Sequence, residues 1–275
     1  MDALPSSPRA AGSERALLER LRGGGPALVA LSGGVDSALV ASFAREALGD
    51  RAVAATVASA ALAERELQGA EAVARAIGIA HRVVRAEPLT DGAYRANGAD
   101  RCYRCRAVET GALRELGAAE GVRQYLDGIQ LDDLGDDRPG LRAMDEAGFV
   151  HPLVWAGWDK LAVRHLARGR GLPNWDRPSD ACLASRVAHG EPVSAELLRR
   201  IERAEGFLLA RGFRRVRVRV RAGTARVEVD PTEVGRLEEP GERRAVEIRL
   251  EELGFRSVRI DPRGYAGRDR LPVVR

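Results

Sequence analysis

The sequence predicts an α/β protein, a parallel-sheet domain followed by a smaller α+β domain. Three observations predict it. Short apolar runs ending at glycines or polar turns alternate with segments of helical spacing, the mark of βαβ units and a parallel sheet. After Pro192 the pattern changes to an amphipathic helix followed by strictly alternating strands. The chain has 275 residues, and at about 150 residues per domain this accommodates two cores. The expected domains are 13–188 and 189–275, with the junction within 185–192.

Taken in order, the first twelve residues are rich in Pro, Ser and Ala, and disorder is expected there. "SERALLERLRGG" reads as a helix with Ser13 as its N-cap and glycines at its end. "PALVALS" (26–32) reads as a buried strand running into a glycine pair, and "DSALVASFAREALG" as the helix after it. "RAVAATVAS" and "AHRVVRAE" give two more strands, separated by a helix over "LAERELQGAEAVARAIG" that stops at Gly78. A helix near 103–120, the strand "RQYLDGI" and the helix "DKLAVRHLARGRGL" complete the first domain. In the second, "SAELLRRIERAEGFLLARG" is a helix capped by Ser194. "FRRVRVRVR" and "TARVEVD" form a hairpin around "AGT". One or two short helices over 231–253 and the strand "FRSVRID" follow.

Composition excludes several classes. No apolar run approaches a membrane span. The start has no basic region leading into an apolar stretch, so no secretory signal is expected. Three cysteines do not make a disulfide framework, and a reducing cytoplasm is expected. The net charge of +4 permits nucleic acid without implying it. The charge is uneven: 211–221 is dense in arginine, while 125–137 is acidic.

"LSGGVDSALVA" (31–41) carries the strongest chemistry. A buried strand ends at Ser32, two glycines allow close backbone approach, and a helix opens at Asp36-Ser37. Unpaired amides at a helix N-terminus beside glycines make an anion cradle. The spacing matches neither a Walker A loop nor a dinucleotide fingerprint; a plain strand–helix turn is the bland alternative. The stretch resembles the S-G-G-x-D-S pyrophosphate loop of the PP-loop superfamily, the adenine nucleotide alpha hydrolase-like fold. That resemblance implies cleavage of ATP between its α- and β-phosphates. Ser32, Gly33, Gly34, Asp36 and Ser37 would bind phosphate, with Asp36 aiding Mg2+.

"DGIQLDDLGDDRPG" (127–140) places five aspartates where a predicted strand ends. Such clusters are commonly solvated loops, but in open α/β sheets ligands gather at the carboxyl ends of strands. The superfamily often has Gly-[Thr/Ser]-Asn-x-x-Asp here, whereas this chain has Gly128-Ile129-Gln130. Asp132 and Asp133 are the expected magnesium neighbours.

"HPLVWAGWDKLAVRHLARGRGLPNWDRPSDACLASR" (151–186) resembles the LarE family of ATP-dependent sulfur transferases. That family carries P-L, K-x-x-V-R-x-L-A, G-L-P and P-S-x-x-C-L-A-S-R, all present here, with His151 where a serine is more usual. The likeness continues through "EPVS" and "IERAEGFLLARGFRRVRVR". It implies adenylation of a carboxylate on a pyridinium biscarboxylate mononucleotide, then displacement of AMP by sulfur. The product is a thiocarboxylate for the nickel-pincer nucleotide cofactor of lactate racemase. Substrate, ATP and AMP are anionic, so converging arginines are expected. Arg106, Arg186, Arg211 and Arg217 stand in motif context, and Glu205 would order an arginine or touch the substrate. The expected catalytic residues are Asp36, Arg106, Cys182, Glu205 and Arg217. Asp132, Arg186 and Arg211 join the loop in holding the nucleotide.

The cysteines bear on the sulfur. "RCYRCR" (101–106) holds Cys102 and Cys105, and Cys182 lies in "RPSDACLASR". A C-x-x-C pair can chelate a metal, act as a redox dithiol or ligate a cluster. Zinc would need a fourth ligand, and the four histidines show no paired spacing near the cysteines. Three thiolates suit a [4Fe-4S] cluster with one open iron. The LarE family has one form that sacrifices a single cysteine sulfur and another that holds a cluster on three cysteines. This chain matches the second, so Cys102, Cys105 and Cys182 are the expected iron ligands. Sacrifice of Cys182, structural zinc and a disulfide are the alternatives.

The expected partner is a small nucleotide rather than nucleic acid or a membrane, and a homo-oligomer is expected. A PP-loop tRNA thiolase using a [4Fe-4S] cluster is the first rival. An ammonia-using PP-loop ligase and a non-enzymatic nucleotide-binding module are the others.

Overall fold

The computed structural model describes residues 8–135, 139–178 and 180–265. The chain begins α1 (Pro8–Gly24), β1 (Ala27–Ala30), α2 (Val35–Leu48), β2 (Ala52–Ala58), α3 (Glu64–Ile77), β3 (Ala80–Arg85) and α4 (Gly92–Arg95). It continues α5 (Arg101–Ala119), β4 (Gln124–Leu126), α6 (Pro139–Glu146), β5 (Phe149–Val150), α7 (Pro152–Trp155) and α8 (Lys160–Gly169). Last come α9 (Ala195–Ala210), β6 (Arg217–Arg221), β7 (Thr224–Glu228), α10 (Val234–Glu238), α11 (Pro240–Glu252) and β8 (Ser257–Ile260).

Five strands form one parallel sheet in the order β3-β2-β1-β4-β5. The strand order reverses between β1 and β4, and a crevice for ligands opens at such a switch point, outside the carboxyl ends of the strands. Helices cover both faces. Ala27, Val29 and Leu31 pack with residues of α1, α2 and α8, while Leu28 packs with Leu113, Tyr125, Met144 and Phe149. Alternate residues of β1 therefore serve opposite cores, which is why the strand reads as an unbroken apolar run.

The smaller sheet has the order β6-β7-β8, with β6 and β7 antiparallel and β8 parallel to β7. Ala222 and Gly223 both have positive φ (48° and 75°), as a two-residue type I′ turn demands. Val218 and Val220 are buried as the alternation requires, and Arg217 is buried beside them.

Two expectations need correction. The first helix begins at Pro8 rather than after Ser13, since proline suits a first helical turn and the alanines after it propagate the helix. The disorder expected for residues 1–12 is thus replaced by helix at 8–12, while residues 1–7 lie outside the described residues. "DGAYRANGAD" (91–100), for which no element is expected between the third strand and the helix near 103–120, contains α4, capped by Asp91 through the Ala93 amide at 2.8 Å.

The chain divides into two compact units. One takes Glu64–Pro88, Cys102–Arg177 and the chain up to Ser59. The other takes Ala60–Ala63, Leu89–Arg101 and the chain from Pro178. The second unit thus starts before the expected 185–192 junction and recruits two earlier segments. Among the described residues no helix is long and apolar enough to cross a membrane.

Candidate active site

The loop between β1 and α2 is built by its own serines. The Ser37 hydroxyl donates to the Gly34 carbonyl (3.1 Å), accepts from the Ser32 amide (3.2 Å) and lies 3.1 Å from the Ser32 hydroxyl. Gly33 has φ +82°, and a Cβ there would stand 3.2 Å from the backbone of Glu66 and Ala70. Gly34 caps α2 with no side-chain hydrogen bond, so the first-turn amides are left for an anion. Asn174 donates to the Gly33 carbonyl at 2.9 Å and fixes the loop from outside. From β4, Gly128 closes against α2: a Cβ there would lie 2.5 Å from the Ser37 amide nitrogen.

Asp36 faces Lys160, whose Nζ donates to Oδ2 at 2.6 Å. The other oxygen, Oδ1, is buried without a hydrogen-bond partner. Burial pushes the Asp36 carboxyl above its usual range, Lys160 pulls it back, and Asp133 raises it further. A buried carboxylate oxygen without a donor fits a ligand position for Mg2+, a hard cation that takes oxygen. Asp132 accepts the backbone amide of Lys160 at 3.0 Å, and Asp133 caps Gln130 at 3.2 Å. Asp132 thus orients the start of the lysine's helix, and Asp133 closes the turn that begins at Gln130. Asp136 and Asp137, the remainder of the acidic cluster, lie outside the described residues.

His151 bridges Asp127 (2.9 Å) and Asp145 (2.8 Å) through its two ring nitrogens. Burial opposes its charge, but the two carboxylates outweigh it and hold the imidazole pKa up at about 9.

Cys102 and Cys105 lie near the start of α5, where residues three apart share a face. The Cys105 thiol donates to Glu109 at 3.4 Å, and the same carboxylate pairs with Arg106 at 2.8 Å. Cys182 caps a 3-10 turn over Leu183–Arg186. Cys102 and Cys182 are exposed, Cys105 is half-buried, and no disulfide joins any of them. Among the described residues no group of three or more His, Cys, Asp or Glu side chains converges as a metal site.

Under the Cys182 turn, Arg186 and Glu205 form an ion pair at 2.9 Å, with side chains only 1% and 0% exposed. Asp180 bridges Arg186 (2.8 Å) and Arg217 (2.9 Å). Arg186 also donates to the carbonyls of Ala181 and Cys182, and Glu205 accepts the Val218 amide at 3.1 Å. Of the two roles expected for Glu205, this geometry shows it ordering an arginine. Arg211 makes its contacts elsewhere, with Glu242 at 2.8 Å and over the ring of Phe207. Ser179 of the P-S-x-x-C segment lies outside the described residues.

The family model for asparagine synthase matches residues 13–92, the stretch that carries the loop and the first three strands. An uncharacterised protein of Synechocystis sp. is 40% identical over 239 residues, spanning 87% of this chain and 89% of its own. The pyridinium-3,5-bisthiocarboxylic acid mononucleotide synthase of Lactiplantibacillus plantarum is 33% identical over 238 residues, 86% of each chain. The chain belongs to the LarE family. It is accordingly an ATP-dependent sulfur transferase built on a PP-loop domain. An uncharacterised protein of Methanocaldococcus jannaschii is 25% identical over 85% of this chain.

Within this LarE chain the structure adds residues that sequence reasoning missed. Lys160 was visible only as one letter of the K-x-x-V-R element, and its partner Asp36 is 124 residues away. Asn174 gave no signal beyond its place after the G-L-P element, and Gly128 registered only as the first residue of a motif that the chain otherwise departs from.

Proposed function

We propose that this LarE-family enzyme adenylates a carboxylate of a pyridinium biscarboxylate mononucleotide and converts it to a thiocarboxylate. The product would serve the nickel-pincer nucleotide cofactor of lactate racemase. The observation that carries the reading is the cradle at the β1/β4 switch point. Its open helix amides, with Lys160 and Asp36 beside them, suit pyrophosphate as a leaving group. The name of the Lactiplantibacillus relative supports the choice of substrate.

In this reading the amides at Gly34–Ser37 bind pyrophosphate, Asp36 Oδ1 ligates Mg2+ and Lys160 neutralises charge on the departing phosphates. Arg106 receives an anionic group of substrate or nucleotide, while Arg211 and Arg217 are engaged by Glu242 and Asp180. Arg186 and Glu205 hold the turn that presents Cys182. Cys102, Cys105 and Cys182 are proposed as thiolate ligands of a [4Fe-4S] cluster; the support is the donor set, with two thiols on one helical turn. When bound, such a cluster supplies the transferable sulfur.

A small nucleotide is favoured over tRNA because five of the six arginines of 211–221 are answered by carboxylates. Arg211 meets Glu242, Arg214 meets Glu233, Arg215 meets Asp230, Arg217 meets Asp180 and Arg219 meets Glu228. An anaerobic assay offering the mononucleotide and tRNA side by side tests this. ATP-dependent thiocarboxylate with release of AMP is expected, and sulfur appearing only in tRNA would reverse the reading.

A further inference from the structure

We infer that Arg101 and Asn97, to which no role in the reaction has been given above, are positioning residues for Cys182. The inference rests on the reading of Cys182 as a sulfur-bearing residue.

The turn after Cys182 is fixed through its carbonyl oxygens. Arg186 serves those of Ala181 and Cys182. Two residues beyond Cys182, the Ala184 carbonyl accepts from Arg101 Nη1 at 2.9 Å. That same nitrogen donates to Asn97 Oδ1 at 2.6 Å. The Asn97 amide in turn donates to the carbonyls of Ala188 (2.8 Å) and Glu191 (2.9 Å). Its own carbonyl accepts from the Gly190 amide at 3.0 Å. Asn97 and Arg101 thus reach three carbonyls between 184 and 191 from one side, while Arg186 reaches two from the other.

This arrangement is costly to assemble. Asn97 is fully buried and sits in the left-handed region at φ 58°, a conformation that asparagine tolerates better than most residues. Arg101 is 6% exposed, and burying a guanidinium is unfavourable unless its hydrogen bonds are met. The result is a rigid backbone turn, Leu183 and Ala184 buried within it, from which the exposed Cys182 projects. A transferring sulfur needs that combination, since small misplacements of a reacting atom are costly in rate.

The test uses Arg101→Met, Arg101→Lys and Asn97→Gly in the full chain. Glycine keeps the left-handed backbone and removes only the amide, so a loss in that variant is not backbone strain. Amide hydrogen exchange over Leu183–Ala188, alkylation of Cys182 read by peptide mass spectrometry, pyrophosphate release and sulfur transfer are measured together. We expect Arg101→Met and Asn97→Gly to lower kcat for sulfur transfer about tenfold or more, with KM for ATP and pyrophosphate release within about twofold. Exchange at Ser185, Val187 and Ala188 should quicken, the Cys182 alkylation rate should change, and Arg101→Lys should recover part of both. If Arg101→Met does not fold, Arg101→Lys and Asn97→Gly decide the matter through the same readouts. Parent-like exchange, alkylation and transfer in the folded variants would overturn the inference, as would equal losses in transfer and pyrophosphate release. Cys182→Ala separates the two readings. Normal transfer without that thiol refutes its role in sulfur transfer, whereas the exchange data report on the strut alone.

Discussion

Lys160 holds the most consequential single contact in the nucleotide cradle. Its ammonium neutralises a carboxylate whose charge burial disfavours, and it would face departing phosphate once Mg2+ takes Asp36. Lys160→Met should therefore lower pyrophosphate release about 100-fold, the scale of losing one preorganised charge donor, with circular dichroism unchanged. An AMP and pyrophosphate assay checks it. His151 makes a prediction about pH. Its folded pKa, about 9, lies above the ordinary 6.5, so its stabilisation is complete below about pH 6.5 and lost as pH rises through 9. Against His151→Ser, the parent should be more stable by about 1–3 kcal/mol at pH 6 and lose that margin by pH 10. Urea titrations at the two pH values measure the difference. Neither residue was legible as a site in the sequence: Lys160 acts across 124 residues, and His151 only registered as a departure from serine.

Among the elements, the β1–α2 turn separates two glycines that the motif treats alike. Gly33 is demanded by its φ of +82° and by α3 behind it, whereas a Cβ on Gly34 would meet only the Ser32 hydroxyl at 3.4 Å. Gly33→Ala should therefore cost about 1–2 kcal/mol of stability from the left-handed backbone alone. Gly34→Val should fold normally and still fail to release pyrophosphate, because its side chain obstructs the anion. Thermal unfolding beside the pyrophosphate assay distinguishes the two. In the second unit, the Arg186–Glu205 pair is buried on both sides. Removing one partner leaves an uncompensated charge, so Glu205→Ala should destabilise by about 3–5 kcal/mol, measurable by denaturant titration. The periodicities that announced β1, α2, α9 and the β6–β7 hairpin were strong because each element buries one face or both. β5 spans two residues and α4 four, too short for a period to register. Arg217 broke the alternation because Asp180 draws its guanidinium inward.

At the scale of the molecule, the parallel sheet followed from the order of apolar runs, and the switch point between β1 and β4 places the cradle where such folds bind ligands. What the pattern could not disclose is the discontinuity of the second unit, which takes up Ala60–Ala63 and Leu89–Arg101. These segments join it through contacts such as the Leu183 amide to the Ala61 carbonyl at 2.9 Å, and such pairings leave no periodic trace. The cysteines were legible as residues, since their spacing alone marked them as chemistry rather than packing. In the proposed reaction, ATP-driven adenylation feeds sulfur transfer through the three cysteines. This is tested most directly by anaerobic single-turnover and multiple-turnover assays on the parent and on Cys102→Ala, Cys105→Ala and Cys182→Ala, with pyrophosphate, thiocarboxylate and the mass of the Cys182 peptide followed together. All three variants should release pyrophosphate at near-parent rates, each should lose most sulfur transfer, and Cys182 of the parent should keep its sulfur after several turnovers. Active Cys102→Ala and Cys105→Ala enzymes, with the parent's Cys182 converted to dehydroalanine, would contradict it.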